Sequence, residues 1–219
     1  HITLAGIALL ISIPAYSEPT SIDMYDSKIG FDVVRDGEIV GSHVTTFSRK
    51  DSNIIIESQM SMSITFLAIS IYTFDYKSVE SWSKGRLSDL QVAVRDGSDE
   101  TKISSLQNSE GLTIKTTSGT YKIDDSIIST NHWNVDVVDK NYVLNTLTGN
   151  INQVKILNKG KERIAVKGGS VIATRYDYSG ELTNTSVWYD AKGRWSKLEF
   201  KARDGSTVEY ICNTCESQP

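Results

Sequence analysis

His132 is the residue of this chain best suited to chemistry, because it lies in a stretch where strand-like alternation stops. Histidine titrates near neutrality and can serve as an acid, a base or a metal ligand. Asp136 and Asp139 are near enough in sequence to orient it as a base, but no Gly-x-Ser-x-Gly nucleophile motif accompanies it. The sequence therefore favours a structural interpretation, in which Trp133 plugs one end of a barrel while His132 and Asn134 hydrogen-bond to loop backbone.

Two cysteines, Cys212 and Cys215, form a Cys-x-x-Cys motif. In an exported protein an even number of cysteines favours a disulfide, here one that closes a short loop. A redox motif normally opens a helix, whereas this one follows a predicted strand. Free thiols, a redox pair, or a metal site formed with His132 stay open as alternatives. His43 stands alone on a strand, so we expect no metal and no cofactor.

Arg175 is a candidate for a ligand contact, because it combines a positive charge with apolar neighbours. Its same-face neighbours Val171 and Ala173 are apolar, so alternation predicts that it points into an apolar interior. A buried arginine needs an acidic or carbonyl partner, for which Asp177 and Glu209 are candidates. The sequence favours a structural role in which Arg175 locks two strands. The alternative is that it holds the acidic head of a lipid-like molecule.

Aromatic side chains cluster near the predicted hairpins and complete the set of candidate ligand-binding residues. Core or rim packing is a more probable role for them than a carbohydrate platform, but a ligand that lies in the barrel would contact them. The candidate ligand-binding residues are Trp133, Arg175, Tyr176, Trp188 and Trp195.

The elements that must position these residues include a repeated block. Ser186–Ile211 matches Ser78–Ile103 without a gap at a constant offset of 108 residues. Each copy reads as strand, Lys-Gly turn, strand, Asp-Gly turn, strand. The pattern predicts an internal duplication of a sheet module. The corresponding turns are Lys84-Gly85 with Lys192-Gly193, and Arg95-Asp96-Gly97 with Arg203-Asp204-Gly205.

The remaining pattern predicts an all-β fold. Ile54–Phe66 alternates without interruption and would extend about 40 Å, a length typical of a strongly curved sheet or a barrel. Turn signals that recur at short intervals predict about a dozen strands in antiparallel meander order. One short connector helix is predicted over Asp139–Leu147, with Asp139 as N-cap and Gly149 as terminator. We therefore expect a barrel or a strongly curved half-barrel.

The first residues, 1–17, are predicted to be the remnant of a signal peptide. Ile2–Ile13 is apolar but shorter than the roughly 20 residues that a membrane-spanning helix needs. Ala15-Tyr16-Ser17 resembles a cleavage site; a buried N-terminal strand or helix is the alternative. Residues 18–219 are then expected to form one barrel-like domain, with halves of about 28–123 and 151–212 and a connector at 124–150.

Several motifs resemble the DUF6134 family, a group of exported bacterial proteins of unknown function that is similar in pattern to the DUF3108 proteins. The resemblance covers nearly all of the predicted mature chain and implies an exported location and a β-barrel-like fold. It implies no activity. The motifs are Asn131-His132-Trp133-Asn134, Arg175-Tyr176, Trp188-Tyr189-Asp190 followed by Gly193-Arg194-Trp195, and Val208-Glu209-Tyr210.

Three functions are compatible with these patterns. The first is a non-enzymatic periplasmic or secreted binding or carrier module for an apolar or amphipathic, lipid-like molecule. The second is a hydrolase-like enzyme that uses His132, and the third is an outer-membrane-associated structural protein. The net charge of −4 argues against nucleic acid as a partner, and no integral membrane segment is expected in the mature chain. The sequence leaves the oligomeric state open.

Overall fold

The computed structural model describes residues 24–67, 69–108, 111–117, 119–124 and 126–216. The predicted signal segment, residues 1–17, lies outside the described residues. Within them the chain forms fifteen strands and no α-helix. The strands are β1 (Lys28–Arg35), β2 (Glu38–Lys50), β3 (Asn53–Phe66), β4 (Ile69–Ser83), β5 (Arg86–Asp96), β6 (Asp99–Asn108), β7 (Gly111–Thr116), β8 (Gly119–Ile123), β9 (Ile128–Ser129), β10 (Tyr142–Leu144), β11 (Ile151–Val166), β12 (Gly169–Gly180), β13 (Thr185–Asp190), β14 (Trp195–Lys201) and β15 (Thr207–Cys212).

All the strands belong to one sheet whose order is a meander. β1 pairs with β15, so the two ends of the meander meet in the middle of the sheet. β8 and β9 are its edges, and the sheet is therefore not closed. Every pairing is antiparallel except that of β9 with β10. The predicted all-β, barrel-like fold class is confirmed, and the short strands β9 and β10 were not predicted.

The repeated block forms β4–β6 in its first copy and β13–β15 in its second. The three Arg-Asp-Gly turns lie at one end of the sheet, called here the Arg-Asp-Gly end, and the two Lys-Gly turns lie at the other. At the first end Arg203 pairs with Asp96, and Arg35 pairs with Asp204. The pair Arg203–Asp96 joins two turns that have the four strands β1–β4 between them in the sheet order. The sheet must therefore curve strongly to bring these turns together.

The core lies on the concave face of the curved sheet and follows the predicted alternation. In β3 the even-numbered residues from Ile54 to Met60 are buried, while Glu57 and Gln59 are exposed. Phe31, Leu90 and Val187 are fully buried on other strands. One apolar cluster connects these side chains across both copies of the repeat. The inner face therefore supplies the hydrophobic free energy of folding.

The connector differs from the prediction of a helix over Asp139–Leu147. A 3-10 helix spans Val135–Asp139 instead, and the side chain of Asn134 caps it by accepting a hydrogen bond from the backbone N–H of Asp136. Residues 142–144 form β10, which pairs with both β9 and β11. The prediction was wrong because strand pairing on two sides, with Val143 and Leu144 fully buried, outweighs the local helix signal.

Candidate functional site

The connector enters the interior of the curved sheet. Residues Ile128–Asn134, called here the plug, are buried except for Thr130, which is half-buried. The hydroxyl of Tyr25 donates to the carbonyl of Trp133 at 2.8 Å, and the hydroxyl of Tyr189 donates to the carbonyl of His132 at 2.9 Å. The sequence favoured Trp133 as a plug with His132 hydrogen-bonded to loop backbone; in the structure both side chains are buried in this interior, and the ring of His132 faces the Tyr178 hydroxyl.

The side chain that holds the plug is Glu80, on the inner face of β4. Its carboxylate is fully buried, and no described residue forms an ion pair with it. Four side-chain donors reach its two oxygens and replace the water that burial removes. They are Ser129 Oγ at 2.6 Å, Asn131 Nδ2 at 2.5 Å, Trp82 Nε1 at 2.8 Å and Trp133 Nε1 at 3.0 Å.

Asn131 extends this tether along β4. Its Nδ2 also donates to Ser78 Oγ at 3.1 Å, and its Oδ1 accepts from the Tyr76 hydroxyl at 2.6 Å. Burial raises the pKa of Tyr76 well above its ordinary value, so the hydroxyl keeps its proton and acts as a donor. The sequence analysis did not identify Glu80. The alternation of β4 places it on the same inward face as Tyr76 and Ser78, and this pattern could have revealed a buried carboxylate.

His132 and His43 are buried, and both pack against the ring of Trp195. Burial lowers the pKa of His132 to about 4. Burial and then the charge of His132 lower the pKa of His43 to about 3. The nearest polar side-chain group to the His132 ring is the Tyr178 hydroxyl, 3.5 Å from Nδ1, and Asp136 is exposed. The described residues therefore do not assemble the histidine–acid pair that the hydrolase hypothesis requires.

The residues predicted to bind a ligand are divided between the two faces of the sheet. Trp133, Trp195 and Tyr176 lie on the inner face, among the aromatic side chains of the core. Arg175 and Trp188 are cross-strand partners on the outer face. The prediction that Arg175 points into the interior was wrong, because the buried neighbours that suggested it share the outer face with Trp188.

On the outer face, the charged groups around Trp188 are paired with one another and link neighbouring strands. The guanidinium of Arg175 lies 5.3 Å and the ammonium of Lys197 lies 4.8 Å from the centre of the Trp188 ring. Nε1 of Trp188 donates to Glu162, while Arg175 Nε donates to Asp177 at 2.6 Å. The hydrogen bond to Asp177 raises the pKa of Arg175. This geometry agrees with the structural role that the sequence favoured for Arg175.

Cys212 and Cys215 form a disulfide with a Cα–Cα distance of 5.7 Å. The loop that they close docks on β1, where Asn213 N donates to the Gly30 carbonyl and Gly30 N donates to Thr214 Oγ1. The disulfide prediction is confirmed. Among the described residues, histidine, cysteine and acidic side chains form no cluster of three that would hold a metal ion.

A groove that the sequence prediction did not include lies on the outer face of β2–β6. It has a volume of about 550 Å³ and continues into a second concavity of about 380 Å³ that shares Lys77, Ala93 and Lys102. Together these form the outer groove. Its central row crosses five strands through the residues Val44, Gln59, Lys77, Ala93 and Lys102.

Two lysines flank the apolar floor of the outer groove. Lys77 and Lys102 stand on either side of Ala93, and neither forms an ion pair with any described residue. In the next row Arg95 lies near two carboxylates, at 4.0 Å from Asp75 and 3.7 Å from Glu100. The sequence signal for this groove was the presence of alanine and valine at outward positions of β4 and β5.

Comparisons with known proteins agree on the fold. The family model described as "Domain of unknown function (DUF6134)" matches residues 31–213. A crystal structure of a beta-barrel-like protein of domain of unknown function DUF1849 from Brucella abortus superposes with a TM-score of 0.54 at 8% identity, over 87% of this chain and 98% of that chain. No curated protein matches the sequence. None of the described residues forms a helix of the length and apolarity needed to cross a membrane.

Proposed function

We propose that this chain, which belongs to the DUF6134 family, is a non-enzymatic exported binding module that holds an anionic amphiphile in the outer groove. The observation that carries the proposal is a pair of lysines, Lys77 and Lys102, that have no ion-pair partner among the described residues and lie on either side of the apolar Ala93. The Cys212–Cys215 disulfide supports export, because disulfides persist in oxidising compartments.

The chemistry of the outer groove fits a ligand with a negatively charged head and an apolar body. An ammonium group donates charge-assisted hydrogen bonds to a carboxylate, and two of them within reach of one site favour a shared anion over two separate counterions. Val79 and Ala93 present apolar surface on adjacent strands. A volume of about 550 Å³ lies within the range of small-molecule sites.

The interior of the sheet is a poorer place for a ligand than the sequence suggested. The plug occupies it, and three of the four hydrogen bonds to Glu80, those from Ser129, Asn131 and Trp133, tie the plug to β4. A ligand of any size would have to displace the plug and leave those donors without a partner, at a cost of about 1–3 kcal/mol each. The outer groove requires no such displacement.

Calorimetric titration of the mature protein with decanoate tests the proposal, with decanol and acetate as chemical controls. We expect decanoate to bind most tightly, because it alone supplies both the charge and the apolar chain. Lys77→Ala/Lys102→Ala should weaken decanoate binding by at least about tenfold, since each lost charge-assisted bond contributes about 1.5 kcal/mol or more.

The matched control variant is Lys115→Ala/Lys161→Ala, which removes the same charge from other strands. A filling variant, Ala93→Trp, occupies the exposed floor of the groove and should reduce the binding of decanoate and decanol together. If decanoate binds equally to the two double-lysine variants, or if the filling variant retains full affinity, the groove is not the binding site.

A further inference from the structure

The β3–β4 hairpin extends beyond its pairing with the strands on both sides of it. The last residue pair between β2 and β3 is Gly41–Met62, and the last between β4 and β5 is Phe74–Asp96. Beyond these pairs β3 and β4 continue to pair only with each other, from Ser63–Thr73 to Phe66–Ile69. This projecting part of the hairpin, residues 63–67 and 69–73, is called here the tip.

The tip exposes large aliphatic side chains to solvent. Leu67 is 81% exposed, Ile69 is 67% exposed and Ile71 is 64% exposed. Ile39, which is 70% exposed, lies beside the neighbouring β1–β2 turn at the same end of the sheet. Contiguous exposed apolar surface of this kind marks an interaction site more often than a solvated surface.

The backbone of the tip favours a protein strand over a lipid bilayer as the occupant. Since the pairing of β2 with β3 stops at Gly41–Met62 and that of β5 with β4 stops at Phe74–Asp96, no described strand pairs with the outer edges of residues 63–66 and 69–72. Backbone N–H and C=O groups on such an edge require hydrogen bonds, which hydrocarbon cannot supply. An extended segment of another protein can supply them by adding as a strand.

The charges around the tip favour a basic occupant. Asp36 lies in the β1–β2 turn, and Glu38 and Asp99 are the first residues of β2 and β6, beside the base of the tip. None of the three forms an ion pair with a described residue. Arg35 and Arg203, at the same end, are already engaged by Asp204 and Asp96. This acidic surround disfavours a second copy of the chain and an anionic membrane, and it complements lysine or arginine.

We propose that the tip docks an extended segment of a partner protein in which apolar and basic residues alternate, and that this segment adds as a strand to a free edge of the hairpin. The apolar side chains of the segment would cover Leu67, Ile69 and Ile71, and its basic side chains would face the acidic turns. The proposal concerns a different surface from the outer groove and does not depend on it.

Fluorescence anisotropy of labelled peptides with the full-length mature protein at low salt tests this docking. The peptides are about ten residues long, the length of a long strand, and alternate isoleucine with lysine or isoleucine with glutamate. We expect the lysine peptide to bind at least about tenfold more tightly than the glutamate peptide. N-methylation of alternate backbone amides should abolish binding, because it removes the donors of the added strand while keeping the side chains.

The tip variant is Leu67→Ser/Ile69→Ser/Ile71→Ser, and the matched control is Leu147→Ser/Leu157→Ser/Ile172→Ser, which removes three exposed aliphatic side chains elsewhere. The lysine peptide should lose at least about tenfold in affinity for the tip variant only. Failure of the lysine peptide to bind overturns the proposal. Tip-dependent binding to phosphatidylcholine vesicles without peptide binding, or tip-dependent self-association in sedimentation, overturns it as well.

Discussion

The β4–β5 and β13–β14 hairpins are copies of one sequence block, yet their first strands present opposite faces to the core. In the first copy Glu80 is inside, and it pairs with Leu90 across the hairpin. In the second copy Val187 is inside, and it pairs with Leu198, the equivalent of Leu90. A shift of one residue in register therefore moves Trp188, the equivalent of Glu80, to the outer face.

The turn that joins the two strands accounts for the shift. In the first copy Ser83 pairs with Arg86 around a two-residue turn, Lys84-Gly85, in which both residues have positive φ. In the second copy the carboxylate of Asp190 accepts hydrogen bonds from the backbone N–H groups of Lys192 and Arg194 and holds a wider turn. The equivalent of Asp190 in the first copy is Trp82, which has no such acceptor. The difference in register thus places the equivalent residues Glu80 and Trp188 on opposite faces.

The largest effect is expected from removal of the inner tether. Glu80→Ala removes the acceptor of four buried hydrogen bonds, so we expect the free energy of unfolding to fall by at least about 4 kcal/mol. Urea denaturation followed by tryptophan fluorescence measures it. The control, Glu57→Ala, removes an exposed carboxylate from the adjacent strand and should change stability by less than about 0.5 kcal/mol. A loss below about 1 kcal/mol for Glu80→Ala would show that the plug is held by packing alone.

The inner and outer faces should also differ in the pH range over which they lose stability. The pKa values of His43 and His132 are lowered in the fold to about 3 and about 4, so below pH 6.5 the unfolded chain binds protons that the folded chain does not. Stability should fall as pH decreases from 6.5 toward 4, by up to about 1.4 kcal/mol per pH unit for each histidine. The folded-state pKa of Asp177 on the outer face is depressed, so its contribution is lost only at lower pH.

Urea denaturation repeated at several pH values separates these contributions. His132→Asn suits the positive φ of 59° at this position and should remove about half of the slope between pH 6.5 and 4. An unchanged slope in this variant would mean that His132 is protonated in the fold, contrary to its burial. Stability at neutral pH is a separate readout and does not enter the comparison of slopes.

The register difference itself can be tested at the turn of the second copy. Asp190→Ala removes the acceptor for two backbone N–H groups and the partner of Arg194, so we expect a loss of about 2 kcal/mol. Amide hydrogen exchange should increase at Lys192 and Arg194. Asp99→Ala, at an exposed residue that follows a turn of the first copy, is the control and should be nearly neutral. Unchanged exchange at both amides would assign the register to strand packing and not to the turn.

The sequence predicted the sheet better than the faces of its strands. Periodicity and turn residues are local signals, so β3 and both repeated blocks were placed correctly. Which face is buried depends on register, and the register of β13 follows from hydrogen bonds of Asp190 that no alternation pattern reveals. Arg175 was assigned to the wrong face because its buried same-face neighbours, Val171 and Ala173, lie on the outer face with Trp188. The role of Glu80 was equally hidden, because its four donors come from β4 and from a plug far along the chain.

The smallest expected effect concerns the charged groups around Trp188, and it distinguishes them from the inner tether. Lys197→Met keeps the aliphatic stem but removes the cation over Trp188 and the ion pair with Glu209, whose Oε1 lies 2.7 Å from the ammonium. We expect a loss of about 0.5–1 kcal/mol, because the cluster is partly solvated. Lys201→Met, at an exposed position on the same strand, is the control.

Salt dependence then separates the two kinds of contact. In roughly 1 M salt the difference between wild type and Lys197→Met should shrink, because screening weakens partly exposed charges. The loss caused by Glu80→Ala should persist, since its four hydrogen bonds lie where neither water nor ions reach them. Equal salt sensitivity of the two variants would contradict the assignment of their positions to opposite faces. The equivalent positions Glu80 and Trp188 would then differ only in their side chains, and the one-residue register shift would have no effect on stability.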